Sequence, residues 1–267
     1  MPNIKVGDIN IHYEIEGKGK PLLMISGFGA QLSAWSDEFI SSLKPHFQLI
    51  LFENRGCGLT DKPDMEYSIP LLADDAGGLL EMLGLKQIHV FGISMGGMIA
   101  QELALRHPRL VNGLILGGTY CGGPRVIPMA KEDLSLLEPV PGSSREDGIR
   151  RGLRTTVSPA FWADNGGFID RMLGKALENP APEYVLSRQG NAIMTFDTYD
   201  RLPYIKTPTL IIHGEVDLIP SENSRLLHEH IPNSQLLIMP GAGHVFYWEK
   251  PKETTEAITK FLSSLPD

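Results

Sequence analysis

Gly92-Ile93-Ser94-Met95-Gly96 sets one serine between two glycines, where an apolar β-prone run ending at Phe91 gives way to helical periodicity. A strand-to-helix turn this sharp strains the serine backbone, and glycines on both sides remove the Cβ atoms where strand and helix pass closely. The exposed hydroxyl is a candidate nucleophile; the plainer alternative is an ordinary serine in a glycine-rich turn. A serine hydroxyl attacks poorly at neutral pH without a base in hydrogen-bond reach, and histidine suits that task best. His244 stands in Met239-Pro240-Gly241-Ala242-Gly243-His244, a loop beyond the last β-prone run, at the end of a sheet where such sites lie. His213 also ends a β-prone run, but inside residues 210–214 it reads as a packed side chain.

Such a base needs a carboxylate that holds the imidazole in one orientation and stabilises its cation. Asp217 fits, in Gly214-Glu215-Val216-Asp217-Leu218-Ile219-Pro220, with Glu215 as a nearby rival and helix capping near Ser221 as the structural alternative. The β-prone run ending near Gly117 is followed by no acid. Acyl transfer also requires donors aimed at a developing oxyanion. The Met95 N–H, at a helix start, and the Phe28 N–H, in Ser26-Gly27-Phe28-Gly29, are the candidates.

Residues so far apart need a scaffold that gathers strand ends. Residues 4–6 and 9–15 alternate apolar with polar around Gly7-Asp8, the pattern of a hairpin. Short apolar runs at 21–25, 47–52, 88–91 and 114–116 suit strands buried on both faces. Helical periodicity at 36–43, 71–83 and 95–106 separates them, which implies a parallel sheet with right-handed crossovers. The alternation stops near Tyr120 and resumes with strand 209–213, helix 222–231, strand 235–239 and helix 252–262. The fold expected is α/β: a mostly parallel central sheet with an N-terminal antiparallel hairpin and a helical insertion. Residues 1–120 and 201–267 would form the core, and residues 121–200 a cap.

Composition narrows the partners. The chain has 267 residues, 42% hydrophobic and 21% charged, with glycine and proline dispersed, which places it among ordinary globular proteins. A formal charge of −8 argues against a nucleic-acid partner. No apolar run approaches the roughly 18 residues that span a bilayer, and the N-terminus reads as strand and not as a signal segment. The expectation is a soluble, cytoplasmic protein. Cys57 and Cys121 form no metal-spaced pair and read as reduced thiols. His228-Glu229-His230 lies in a helical stretch where residues two apart diverge, so it reads as surface. No cofactor or metal is called for.

These motifs together resemble the α/β-hydrolase superfamily, and within it the esterase, enol-lactonase and perhydrolase branch with Gly-x-Ser-Met-Gly-Gly. The likeness spans essentially the whole core and includes the chain order Ser94, Asp217, His244. Glu53-Asn54-Arg55-Gly56-Cys57-Gly58-Leu59-Thr60 is similar to the family's Asp-x-Arg-Gly-x-Gly-x-Ser turn, and Gly243-His244 is followed by Glu249 and Pro251. Two positions depart: Ser26 stands where many relatives carry histidine, and Glu53 replaces the usual aspartate. The resemblance disfavours dehalogenation and epoxide opening, which on this fold use aspartate at the position of Ser94.

The expected reaction is hydrolysis of a small carboxylic ester or lactone through an acyl-enzyme on Ser94. Perhydrolase, thioesterase or C–C bond chemistry on the same triad is the alternative, and a non-catalytic ligand receptor on the same fold is the reading from another class. Met129, Phe161, Trp162, Phe168, Met172, Met194, Phe196 and Val245 are candidates to line an apolar pocket. Simple cap-to-core packing competes with that role at each position. Oligomeric state leaves no trace in the sequence.

Overall fold

The computed structural model describes residues 2–137 and 140–266. Strands β1 (Asn3–Val6) and β2 (Ile9–Gly17) form the expected hairpin, and β2 continues the sheet by pairing antiparallel with β4 (Phe47–Phe52). From β4 onward every pairing is parallel, through β3 (Lys20–Ile25), β5 (Ile88–Ile93), β6 (Val111–Gly117), β7 (Thr209–Gly214) and β8 (Ser234–Met239). The strand order is β1-β2-β4-β3-β5-β6-β7-β8. After β3 the chain moves outward to β4, then returns across β3 to β5. The loops leaving β3 and β5 therefore diverge, and a crevice opens at the carboxyl ends of those two neighbouring strands.

The strand interiors are apolar on both faces, and alternate residues serve different layers. Leu23, Ile25, Ile50, Phe52, Leu114 and Leu116 point to α2 (Ile69–Met82) and α3 (Met95–Arg106). Leu22, Met24, Leu49, Leu51, Ile115 and Leu210 point to α1 (Asp37–Leu43) and the C-terminal helix Pro251–Ser263 on the other side. Covering both faces is what turned a period-two pattern into continuous apolar runs. Ser36 and Ser68 accept from the N–H groups of Phe39 and Leu71, which fixes where α1 and α2 begin.

Between β6 and β7 the described residues contain no strand beyond the isolated bridge Gly122↔Asp197. They form α4 (Lys131–Leu137), α5 (Arg145–Thr156), α6 (Pro159–Asp164), α7 (Gly166–Glu178) and α8 (Glu183–Met194). Their buried side chains join both core layers, Val185 and Phe196 one and Ile169 and Met172 the other. Then follow α9 (Glu222–His230), α10 (Phe246–Glu249) and α11 (Pro251–Ser263). Among the described residues no helix is long and apolar enough to cross a membrane.

The turn after β4 is pinned by Arg55, 1% exposed, whose guanidinium meets two carboxylates side-on. Nε and Nη2 donate to Asp75 of α2 at 2.8 and 2.7 Å, and Nη1 and Nη2 to Asp8 of the hairpin turn at 2.9 and 2.7 Å. One cation thus ties the hairpin, the turn and α2 together. Removing it strands Asp75, whose side chain is 7% exposed, as a buried charge without its partner. Arg55→Met is expected to lower unfolding free energy by about 3–5 kcal/mol, measured by urea denaturation; a loss below about 1 kcal/mol would show that the network is not structural.

Candidate active site

Ser94 sits between β5 and α3 with φ 58° and ψ −123°, a left-handed conformation that costs a non-glycine residue about 1–3 kcal/mol. The flanking glycines explain how the turn closes. A Cβ on Gly92 would stand 2.1 Å from the Gly96 carbonyl oxygen, and one on Gly96 would stand 2.1 Å from the Ile25 carbonyl oxygen. Ser94 is half-buried in a run of buried neighbours, and its hydroxyl makes no hydrogen bond among the described residues.

The candidate base and its candidate acid come from the loops after β8 and β7, which are stitched together by main-chain bonds. Glu215 N–H donates to the Met239 carbonyl and Val216 N–H to that of Ala242, both at 3.0 Å. His244 Nδ1–H donates to the Asp217 carboxylate at 2.9–3.0 Å, leaving Nε2 unengaged by the described residues. The Asp217 side chain is fully buried and also accepts from the Ile219 N–H at 2.8 Å. Burial pulls the His244 pKa down, but the charge and hydrogen bond of Asp217 outweigh it and hold the imidazole above its ordinary value.

The rivals take other roles. Glu215 is exposed, and its carboxylate accepts from the Gly241 N–H at 2.7 Å. His213 is fully buried; its Nε2–H donates to the Ile219 carbonyl at 2.8 Å, so Nδ1 accepts from the Ser224 hydroxyl at 2.7 Å. Burial pushes its pKa down and keeps it neutral and packed.

Residues 117–119, at the end of β6, join the two halves. The Gly117 carbonyl accepts from Ser94 N–H at 2.9 Å, and the Thr119 hydroxyl donates to the Ser94 carbonyl at 2.8 Å. Gly118, between them, backs onto the other pair: a Cβ there would lie 3.0 Å from His244 Nδ1 and 3.1 Å from Asp217 Oδ2. Adjacent glycines thus meet the Ser94 main chain on one side and the imidazole and carboxylate on the other. On the opposite side of Ser94, a Cβ on Gly27 would come 3.2 Å from the serine Cβ. The N–H groups of Phe28, next to Gly27, and of Met95 meet no acceptor among the described residues.

The candidate pocket residues divide. Phe161 and Phe168 stack edge-on at 5.4 Å, and Phe168 packs on Trp248 at 5.4 Å, so their contacts run from insertion to core. Trp162 lies under Arg154 at 5.8 Å, and Met172 and Phe196 are buried in separate core layers. Met129 is half-buried, whereas Met194 is 84% exposed and lines no enclosed surface. Val245, beside His244, is buried and donates its N–H to the Thr156 carbonyl at 2.9 Å. A cleft of about 650 Å³ lined by Glu81, Lys86, Arg106 and His107 opens at the far end of α3, a helix length of about 18 Å from Ser94.

Both cysteines are free, and burial raises each thiol pKa to about 11, which keeps them protonated and unreactive. Among the described residues, no group of three or more His, Cys, Asp or Glu side chains is arranged to hold a metal ion.

The sequence profile of the alpha/beta hydrolase fold matches residues 20–150. A 2-hydroxy-6-oxononadienedioate/2-hydroxy-6-oxononatrienedioate hydrolase of Pseudomonas putida is 30% identical, over 96% of this chain and 92% of its own. The chain belongs to the α/β-hydrolase family. Among solved structures, an esterase from Thermogutta terrifontis is 27% identical with a TM-score of 0.82, covering 98% of both chains. An N-acyl homoserine lactone degrading enzyme is 26% identical with a TM-score of 0.83, covering 97% of this chain and all of its own. This chain is a hydrolase of that family.

In this hydrolase, sequence reasoning passed over Gly118, Thr119 and Gln189. The glycine pair Gly117-Gly118 at a strand end was the available signal for the first, since paired glycines mark close approach. Gly118 also has φ +46°, so a side chain there is strained as well as crowded. Gly118→Ala is expected to push the imidazole off Asp217. The check is the low-field proton NMR signal of the His244–Asp217 hydrogen bond, which should disappear in folded variant; its persistence would remove Gly118 from the account.

Proposed function

We propose that this hydrolase cleaves a carboxylic ester or lactone through an acyl-enzyme on Ser94. What supports the reading is the strained Ser94 beside the Gly27-Phe28 loop, with its N–H on Gly117 and the next residue, Gly118, backing onto a histidine that is bonded to Asp217 and whose Nε2 meets no partner among the described residues. Ser94 Oγ attacks the carbonyl carbon and its proton passes to His244 Nε2. The carbonyl oxygen becomes an oxyanion held by the Phe28 and Met95 N–H groups. The intermediate collapses, the C–O bond breaks, and the leaving alcohol takes the proton from Nε2. Water then attacks the acyl group, again giving its proton to His244, and the acid leaves as Ser94 recovers its hydrogen. Asp217 stabilises the imidazolium and stays ionised throughout.

The esterase and lactone-degrading relatives support ester-bond chemistry, with residues 121–200 acting as the cap over a small-molecule site. The 30% identical relative favours a second reading, C–C bond hydrolysis on the same residues. A panel of p-nitrophenyl esters, lactones, acyl thioesters and a vinylogous 1,5-diketone acid separates them. Turnover of the esters or lactones is expected, and turnover of the diketone acid alone would replace the first reading with the second. Fluorophosphonate should modify Ser94, and Ser94→Ala should reduce kcat on the order of 10⁶-fold. Folded protein that escapes labelling and keeps its turnover after Ser94→Ala would sink the acyl-enzyme; tight ligand binding without turnover would identify a receptor.

The pH profile has a definite sign. His244 works as a base only when neutral, and Asp217 holds its pKa above the ordinary 6.5. The rate must fall as pH drops through that raised value, so the acid limb of kcat/KM should centre above 6.5, measured on the best ester of the panel. A limb centred below 6.5 would separate His244 from the rate.

A further inference from the structure

Helix α8 turns Val185, Gln189 and Ala192 inward, at the spacing of one helical face. Two of these are apolar; Gln189 is an amide with 0% exposure. Burying an amide is unfavourable unless both its ends are bonded, so a leucine would be the default occupant. Gln189 is bonded at both ends. Its Oε1 accepts from the Gly29 N–H at 2.8 Å, and its Nε2 donates to the Arg55 carbonyl and reaches Cys57 Sγ, each at 3.3 Å.

Gly29 immediately follows Phe28. The turn between them closes with Ala30 N–H on the Gly27 carbonyl at 3.3 Å, and Gly29 has φ +63°. The loop is gripped again two residues on, where Gln31, 8% exposed, donates to the Ala176 carbonyl of α7 at 3.1 Å. Two helices of the insertion thus clamp a short loop that passes beside Ser94, where a Cβ on Gly27 would come 3.2 Å from the serine Cβ. With the Gly29 and Ala30 amides committed, the Phe28 amide, like that of Gly27, meets no acceptor among the described residues.

We propose that Gln189 is a positioning residue for the oxyanion hole: from α8 of the insertion it fixes the Gly27-Phe28-Gly29 turn so that the Phe28 N–H meets the oxyanion. This rests on the Ser94 acyl-enzyme reading. Docking of α8 then becomes a condition of transition-state stabilisation and not merely of shelter. Geometry shifts of about 1 Å at a reacting centre cost on the order of a hundredfold in rate.

The test compares Gln189→Met, which fills the space but bonds nothing, with Gln189→Glu, which keeps an acceptor facing Gly29. Both are assayed on the p-nitrophenyl ester identified by Ser94-dependent turnover, with inhibition by an alkyl trifluoromethyl ketone. Gln189→Met is expected to lower kcat between about tenfold and a hundredfold with KM within about twofold. Its ketone Ki should rise by the same factor as kcat/KM falls, and Gln189→Glu should recover most of the loss. Amide hydrogen exchange adds a readout independent of turnover: residues 27–31 should lose protection in Gln189→Met and regain it in Gln189→Glu.

Unchanged kcat and unchanged protection in folded Gln189→Met overturns the proposal, as does a loss carried by KM with the ketone Ki unmoved. Should Gln189→Met fail to fold, Gln189→Asn, one methylene shorter, carries the same comparison. Turnover that survives Ser94→Ala strikes the acyl-enzyme reading instead, and the exchange result then stands apart from it.

Discussion

The site depends on one unfavourable backbone conformation. Ser94 holds φ 58°, a state that its own covalent geometry opposes, and four hydrogen bonds from three directions keep it there. Its N–H is taken by Gly117 of β6, and its carbonyl by the N–H groups of Gly97 and Met98 and by the Thr119 hydroxyl. A local cost of about 1–3 kcal/mol is offset by bonds the fold makes in any case. What the strain achieves is placement: the side chain is set beside the loop that follows β3, where a Cβ on Gly27 would come 3.7 Å from its hydroxyl oxygen. No flexible surface serine has a hydroxyl so fixed.

Around that point the insertion is packed into the core. Its apolar residues are shared between both sheet layers, and polar clasps reach Gly29, beside Phe28, and Gly243, beside His244. Glu249 of α10 accepts from Ser158 N–H and Ser158 Oγ–H at 2.9 and 2.6 Å and from Gly243 N–H at 2.9 Å. The loop bearing His244 is therefore tied to the start of α6. Gln189 makes the corresponding link to the loop bearing Phe28. Loosening these partly buried bonds would cost hydrogen bonds at both halves of the site at once.

Sequence alone revealed much of this because strand interiors, turn glycines and helix caps are local signals. The hairpin at Gly7-Asp8, the parallel strands and the Ser94 turn all follow from residues within a few positions of one another. Boundaries moved where a cap decided them: α2 begins at Ile69 under the Ser68 cap, two residues ahead of the expected start. The short helix α10 escaped notice because four residues give no periodicity. Gln189 was invisible for a different reason: its partner Gly29 lies 160 residues away, and nothing near either residue marks the bond. The aromatic residues of the insertion show the limit of composition. Phe161 and Phe168 suit a substrate wall or a packing layer equally well in type, and their contacts are those of the layer.

The two departures from the family pattern illustrate which constraints are chemical and which are spatial. At Ser26 the family histidine is gone, yet the neighbouring backbone is still held, for Asn54 Nδ2 donates to the Ser26 carbonyl at 3.1 Å. Donors of the oxyanion-hole kind are main-chain groups, so what must persist is the path of the loop and not the side chain at its start. Glu53 keeps its carboxylate at the centre of the turn but with one more methylene. Its two oxygens reach the N–H of Leu32, at the helical turn that follows the Phe28 loop, and that of Leu59 in its own turn. The longer side chain spans the gap between the β3 and β4 loops, the same two loops that Gln189 joins from above through Gly29 and Arg55. A substitution that looks conservative in charge thus acts through reach, bracing the loop on its core side while the insertion braces it on the other.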